Sequence, residues 1–164
     1  MIDTIPNFLS DDEMQAVKYY LDWSHWGLQV PDNRKHCKLR DGFLFHGVSD
    51  TEERGRFFWD SILPKVRKSF GLNNEIQRIY FNGQWFGRDG KFHKDNCDKT
   101  VLIYISNWQP EWGGFTHLMD GDDHAVVMPI TNTAVCFPGN MLHKAYAFSQ
   151  QTAPMRVTLA YKFT

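Results

Sequence analysis

From Gly71 onward the chain is a succession of short β-branched and aromatic runs cut by Gly, Pro, Asn and Asp: EIQRIYF, KTVLIYIS, GGFTHLM, HAVVMPI, TAVCFP, HKAYAF and MRVTLAYKF. Runs of this length and composition read as strands, and no helical period alternates with them, which argues against parallel βαβ units. Many strands joined by short polar turns predict antiparallel sheets closed as a sandwich, jelly roll or barrel. In the last run the two-residue period sets Arg156, Thr158, Ala160 and Lys162 on one face and Val157, Leu159, Tyr161 and Phe163 on the other. The apolar set belongs to a packed core. The other set either faces solvent on an edge strand or, as the H-x-D segment described below favours, lines a barrel interior with an arginine, a hydroxyl and a small residue, a surface suited to holding a carboxylate in a bidentate fork. Tyr104 shares a face with Thr100, Leu102 and Ser106, so its phenol would add a second donor to the same anion.

The first half reads differently. Ser10-Asp11-Asp12-Glu13 is a capping-box pattern opening an apolar-periodic run through Met14, Val17, Tyr20 and Leu21. Ser49-Asp50-Thr51-Glu52 repeats the signal, and Phe57, Phe58, Ile62, Val66 and Phe70 follow at helical spacing until Gly71, with Pro64 expected to kink or divide the helix. Helices first and strands afterwards predict a mainly β (α+β) fold with the helices packed on one face of the β core. At 164 residues, 42% hydrophobic and 15% aromatic, the chain can bury one substantial core, and residues 1–164 are read as a single domain.

Eighteen Lys and Arg against nineteen Asp and Glu leave a net charge of -1, so no global field exists to hold DNA or a membrane surface. The one local basic run is RKHCKLR, residues 34 to 40, read as a solvated loop. Cys37, Cys97 and Cys136 form no C-x-x-C pair, which argues against a disulfide framework and a thiolate zinc site. No leader pattern or membrane-length apolar run occurs, and a soluble, cytoplasmic protein is expected.

The stretch GRDGKFHKDN carries the first chemistry. On a strand, His93 and Asp95 project to the same side and Lys94 to the other. Two histidines and one carboxylate on one face of an octahedron form the facial triad of non-haem Fe(II) sites, leaving three positions open. The candidates for the second histidine are His25, His36, His46, His117, His124 and His143. His143 is preferred because FPGNMLHKAY sets it at a strand start after a Pro-Gly turn, late enough for a jelly roll to return it to the H-x-D segment. Ordinary hydrogen-bonded or exposed roles are the reading for the others.

Together, His93-x-Asp95, His143 and Arg156-x-Thr158 resemble the Fe(II)- and 2-oxoglutarate-dependent dioxygenase superfamily, in its prolyl-4-hydroxylase-like branch. The similarity extends to IDTIPNFLSDDEM, NGQWFGRDGKFHKD, TVLIYISNWQPEWGGFTHL and FPGNMLHKAYAFSQQTAPMRVTLAYKF, in order along nearly the whole chain. It implies a double-stranded β-helix (jelly-roll, cupin-like) core, with His93, Asp95 and His143 as iron ligands. It further implies that Arg156 binds the distal carboxylate of 2-oxoglutarate, with Thr158 and Tyr104 assisting. Arginine in this role matches oxygen-sensing prolyl hydroxylases, whereas collagen-type enzymes commonly use lysine. The implied reaction couples decarboxylation of 2-oxoglutarate to succinate with C–H hydroxylation by O2, with ascorbate as accessory reductant and a proline-containing peptide as first expected substrate.

Three other readings stay open: hydroxylation of a small molecule or free amino acid, oxidative demethylation of nucleic acid, and a non-catalytic metal-binding jelly roll. Trp85, Phe86 and Arg88 are expected to border the barrel mouth, with Trp108 and Trp112 behind the tyrosine strand; for the tryptophans ordinary packing is the stronger reading. Gly87 and Gly90 are expected to bend the loop, and Phe92 to pack.

Overall fold

The computed structural model describes residues 1–22, 27–28 and 43–164. His25, His36, Cys37 and the basic run at residues 34–40 lie outside the described residues.

The described strands are β1 (Asp3–Ile5), β2 (Gly27–Leu28), β3 (Phe43–Gly47), β4 (Ile76–Gln84), β5 (Lys99–Tyr104), β6 (Thr116–Asp120), β7 (Asp123–Val127), β8 (Ala134–Pro138), β9 (Leu142–Ala145) and β10 (Arg156–Phe163). They form a seven-stranded sheet in the order β1-β8-β5-β10-β4-β3-β2 and a three-stranded sheet in the order β7-β6-β9. All pairings are antiparallel. His93 forms an isolated antiparallel bridge with His143 on β9, which extends the small sheet at its β9 edge. Counting the His93 segment with the small sheet, the chain from β4 onward passes between the two sheets at each step except the β6–β7 hairpin, in jelly-roll fashion, and the fold is the mainly β, double-stranded β-helix expected.

The seven strands read from the sequence are all present as β4 to β10, with ends shifted by a few residues. β1, β2 and β3 were not legible. The first is three residues long, and FLFHG at β3 lacks a clean alternation of polar and apolar positions.

Helix α1 (Asp11–Asp22) begins with the reciprocal capping box, Ser10 N–H donating to Glu13 Oε2 at 2.7 Å and Glu13 N–H to Ser10 Oγ at 3.2 Å. The second box does not form. Ser49 Oγ instead accepts from Thr51 N–H at 3.2 Å and bonds the Thr51 hydroxyl, a local turn, and α2 (Glu53–Phe57) starts after Glu52 with no side-chain cap. A π-turn at Phe58–Ile62 follows, then α3 (Leu63–Phe70). Pro64 sits in the first turn of α3, where its missing N–H does least harm, so the expected break takes the form of the wider π-turn just before it. Gly71, at φ +62°, ends the helix in the left-handed conformation that glycine adopts without penalty.

The two faces of the large sheet do different work. Val17, Tyr20, Phe58, Ile62 and Val66 from the helices pack on Ile79, Phe81, Val101, Ile103, Leu159, Tyr161 and Phe163. Burying each large side chain there contributes about 1.5–3 kcal/mol. The inner face, toward the small sheet, carries Tyr80, Leu102, Tyr104, Val135, Phe137 and Ala160 with Leu118 and Met141. It is only partly filled with hydrocarbon, and the remaining space holds the polar side chains of the site.

Candidate active site

β4 and β10 form the cavity floor. Their register pairs Arg156 with Gln84, Thr158 with Asn82, Ala160 with Tyr80 and Lys162 with Arg78, so four rungs of inward side chains run along one ladder. The cavity is about 270 Å³, and its walls include His93, Asp95 and His143 as well as Arg156, Thr158 and Lys162.

At one end, His93, Asp95 and His143 offer one ligand atom each, all within 4.8 Å of one another. Asp95 Oδ1 lies 3.8 Å from His93 Nε2, and Oδ2 lies 3.4 Å from His143 Nε2. Each imidazole is fixed the same way: His93 Nδ1 bonds the Lys91 carbonyl and His143 Nδ1 the Met141 carbonyl, both at 2.8 Å. With Nδ1–H donated, the lone pair rests on Nε2, which faces the carboxylate and is the atom a metal would take. Burial pushes the His143 imidazole down to about 4, against the pull of Asp95, which keeps it neutral and competent as a ligand.

Asp95 is held on all sides. Its N–H donates to Gly139 O at 2.8 Å, and Gly139 approaches so closely that a Cβ there would fall 2.1 Å from the Cys97 carbonyl oxygen. Thr100 Oγ1 donates to Oδ2 at 2.7 Å, and Lys162 Nζ pairs with the same oxygen and donates to Thr100 Oγ1 at 3.0 Å. Burial alone would raise the pKa of Asp95, but Lys162, His143 and Thr100 hold it below the usual carboxylate range.

At the other end Arg156 is 2% exposed. Its Nε donates to Gly114 O at 2.7 Å, Nη1 to Gln84 Oε1 at 2.9 Å and Nη2 to Thr116 Oγ1 at 2.9 Å. A guanidinium has five N–H donors, so one remains on each terminal nitrogen, the pair needed for a bidentate carboxylate. Among the described residues no acidic side chain pairs with it. Buried cations are normally paired, so this end of the cavity is suited to an anion from outside.

The structure thus brings His93, Asp95, His143, Arg156 and Thr158 around one cavity. Tyr104 is not in its lining: the fully buried phenol donates to Thr116 Oγ1 at 2.8 Å, and its ring lies 5.4 Å from the Arg156 guanidinium carbon. It supports the group that steadies Arg156. Lys94, expected to point away, lines the cavity, because residues 92–98 form no regular strand beyond the His93 bridge and strict alternation does not apply. Phe92 is 41% exposed, edge-on to His117, and is not a core residue. His46 bonds the Tyr20 hydroxyl at 2.9 Å, and His117 and His124 bond each other at 2.9 Å on the exposed side of β6 and β7. Trp85 and Phe86 are exposed and border a separate groove with Ala153, Pro154 and Met155. Arg88 is exposed, whereas Trp108 donates to Gly113 O at 2.8 Å and Trp112 packs on Phe148. Gly87 has φ +72°, and Gly90 N–H donates to Ala145 O.

Sequence reasoning placed Lys162 with Arg156 and Thr100 with Tyr104 but gave neither a role, and it missed Gln84 and Thr116. The signal for Lys162 was available: an inward-facing lysine on a buried strand requires an acid, and Asp95 was the acid at hand.

The fold is that of the 2OG-Fe(II) oxygenases. A 2OG-Fe(II) oxygenase family oxidoreductase from Burkholderia pseudomallei superposes with a TM-score of 0.77 at 12% identity, covering 99% of this chain and 84% of that one. A Trichoplax adhaerens prolyl hydroxylase, solved with a hypoxia inducible factor peptide fragment, gives 0.75 at 18% identity over 99% and 82%. A Pseudomonas putida prolyl-4-hydroxylase gives 0.73 at 17% over 99% and 91%. No protein-family model and no curated protein sequence matches the chain.

Proposed function

We propose that this chain is an Fe(II)- and 2-oxoglutarate-dependent dioxygenase that hydroxylates a C–H bond. The observation that carries the reading is the pairing, in one cavity, of a His-Asp-His cluster with a buried arginine that has no acid partner among the described residues. A binding module has no need of the second feature. His93, Asp95 and His143 are the proposed metal ligands, a donor set that suits iron and leaves open positions for a chelating keto acid.

When bound, the iron couples oxidative decarboxylation of 2-oxoglutarate, giving succinate and CO2, to insertion of the second oxygen atom of O2 into the substrate. The chain's own part is placement. Arg156, its fork directed by Gly114, Gln84 and Thr116, holds the distal carboxylate, and Thr158 on the neighbouring rung adds a hydroxyl. Tyr104 steadies Thr116. Lys162 and Thr100 occupy Asp95 Oδ2 and leave Oδ1 as the freer oxygen for the metal. The hydrocarbon behind the cavity excludes water from the other faces. No general base is assigned, because the chemistry requires none. Ascorbate is the expected accessory reductant, and no residue is assigned to it.

The likeness to two prolyl hydroxylases supports a proline-containing peptide as a substrate to test first. Calorimetric titration of 2-oxoglutarate into the Mn(II)-loaded protein tests the site. Saturable binding that requires the metal and weakens in Arg156→Ala is expected; binding indifferent to both would refute the reading.

A further inference from the structure

The cavity wall carries more positive charge than the proposed metal and co-substrate use. Its lining includes four cations, Arg78, Lys94, Arg156 and Lys162, and one acid, Asp95. Two of the cations have assigned work: Lys162 pairs with Asp95, and Arg156 is oriented by its three neutral acceptors for the keto acid. Iron(II) and the 2-oxoglutarate dianion bring opposite and equal charges, so their joint arrival leaves the excess unchanged.

The surplus sits at the metal end. Arg78 is opposite Lys162 on the ladder, at the end remote from Arg156, with its guanidinium 4.8 Å over the Tyr80 ring. Lys94 lies between the two ligands His93 and Asp95 in the chain. Both are exposed at the rim of the cavity, and neither has an acidic partner among the described residues.

Resting on the oxygenase reading above, we propose that the substrate of this site presents a carboxylate to Arg78 and Lys94. The cavity of about 270 Å³ lies just below the usual range for a ligand site and must hold the co-substrate as well, so the part of the substrate inside it is small. A free amino acid meets this condition through its α-carboxylate, and a peptide meets it through an acidic side chain beside the entering residue.

The test measures binding to the Mn(II)- and 2-oxoglutarate-loaded protein, which does not turn over. One arm uses the common free L-amino acids, each against its α-amide. The other uses N-acetyl-Ala-Pro-Glu-amide against N-acetyl-Ala-Pro-Gln-amide. At least one acid should bind about tenfold more tightly than its neutral counterpart, the scale of one charge-assisted hydrogen bond. That preference should vanish in the Arg78→Gln, Lys94→Gln double variant and persist in Lys68→Gln, which removes a charge from an exposed helix position. The responding arm identifies the source of the carboxylate. No preference in any pair, including no binding at all, overturns the proposal, as does a preference that survives the double variant. Loss of 2-oxoglutarate binding itself would instead count against the oxygenase reading, and is measured first.

Discussion

His93 and His143 stand directly opposite each other, exchanging both backbone N–H···O bonds at 2.9 Å, with ring centroids 4.3 Å apart. The proposed metal pair is therefore fixed by the backbone as well as by its side chains. Each ring is then locked by the carbonyl two residues before it. Asp95 is brought in by its own N–H bond to Gly139, in the turn that leads into β9. Replacing Asp95 by Ala should lower Mn(II) or Co(II) affinity by more than about a hundredfold while the fold persists, since loss of a ligand should exceed the usual cost of an outer-shell change. Calorimetry checks it, and unchanged affinity would remove Asp95 from the site.

Lys162 and a metal ion at the proposed site would both help to neutralise the same carboxylate. In Lys162→Met the metal-free protein keeps Asp95 almost buried without its cation, which should cost about 3 kcal/mol. Metal binding supplies the missing charge. Metal should therefore raise the melting temperature by more in Lys162→Met than in the unsubstituted protein, and an equal rise in both would show that the pair is not electrostatically linked to the metal site.

The pH response of the metal-free protein follows from His143. Its folded pKa is about 4, below the ordinary 6.5, because burial disfavours the imidazolium. The unfolded chain takes up a proton that the folded chain refuses, so stability is fully present above 6.5 and declines as pH falls toward 4. Asp95, held below its ordinary value, adds a loss of the same sign at lower pH. Urea melts from pH 8 to 4 should show the decline, and His143→Gln should flatten its upper part. A profile independent of pH between 6.5 and 4 would contradict the assignment.

Gly114 links the backbone to the Arg156 guanidinium. It has φ +78°, and a Cβ there would lie 2.4 Å from the Phe148 ring, while its carbonyl accepts from Arg156 Nε. Gly114→Ala should destabilise the protein by about 1–3 kcal/mol and weaken 2-oxoglutarate binding with little effect on metal affinity. Wild-type affinity in that variant would show that Gly114 does not orient the guanidinium.

The extent to which the sequence disclosed this arrangement depended on the range of the interactions. The alternation of MRVTLAYKF put Arg156, Thr158 and Lys162 on the inner face because a two-residue period needs no tertiary information, and the strand is so arranged. His143 was legible because a Pro-Gly turn marks where β9 begins. What escaped was set by contacts between distant segments. The Tyr104 hydroxyl is taken by Thr116 on the facing sheet, which no property of the tyrosine strand announces. Lys94 lines the cavity because its segment bridges β9 only at His93, and strand periodicity lapses where a ladder is not continuous. The second capping-box pattern failed for a local reason, Ser49 finding a nearer donor in Thr51.

The central claim is most directly tested by adding oxygen to protein loaded anaerobically with Fe(II) and 2-oxoglutarate, and measuring succinate with and without candidate amino acids and peptides. Succinate should form only when iron is present, rise with a true substrate, and fall to background in His143→Ala. If no succinate appears under any of these conditions although 2-oxoglutarate binds in the cavity, the chain is not a dioxygenase.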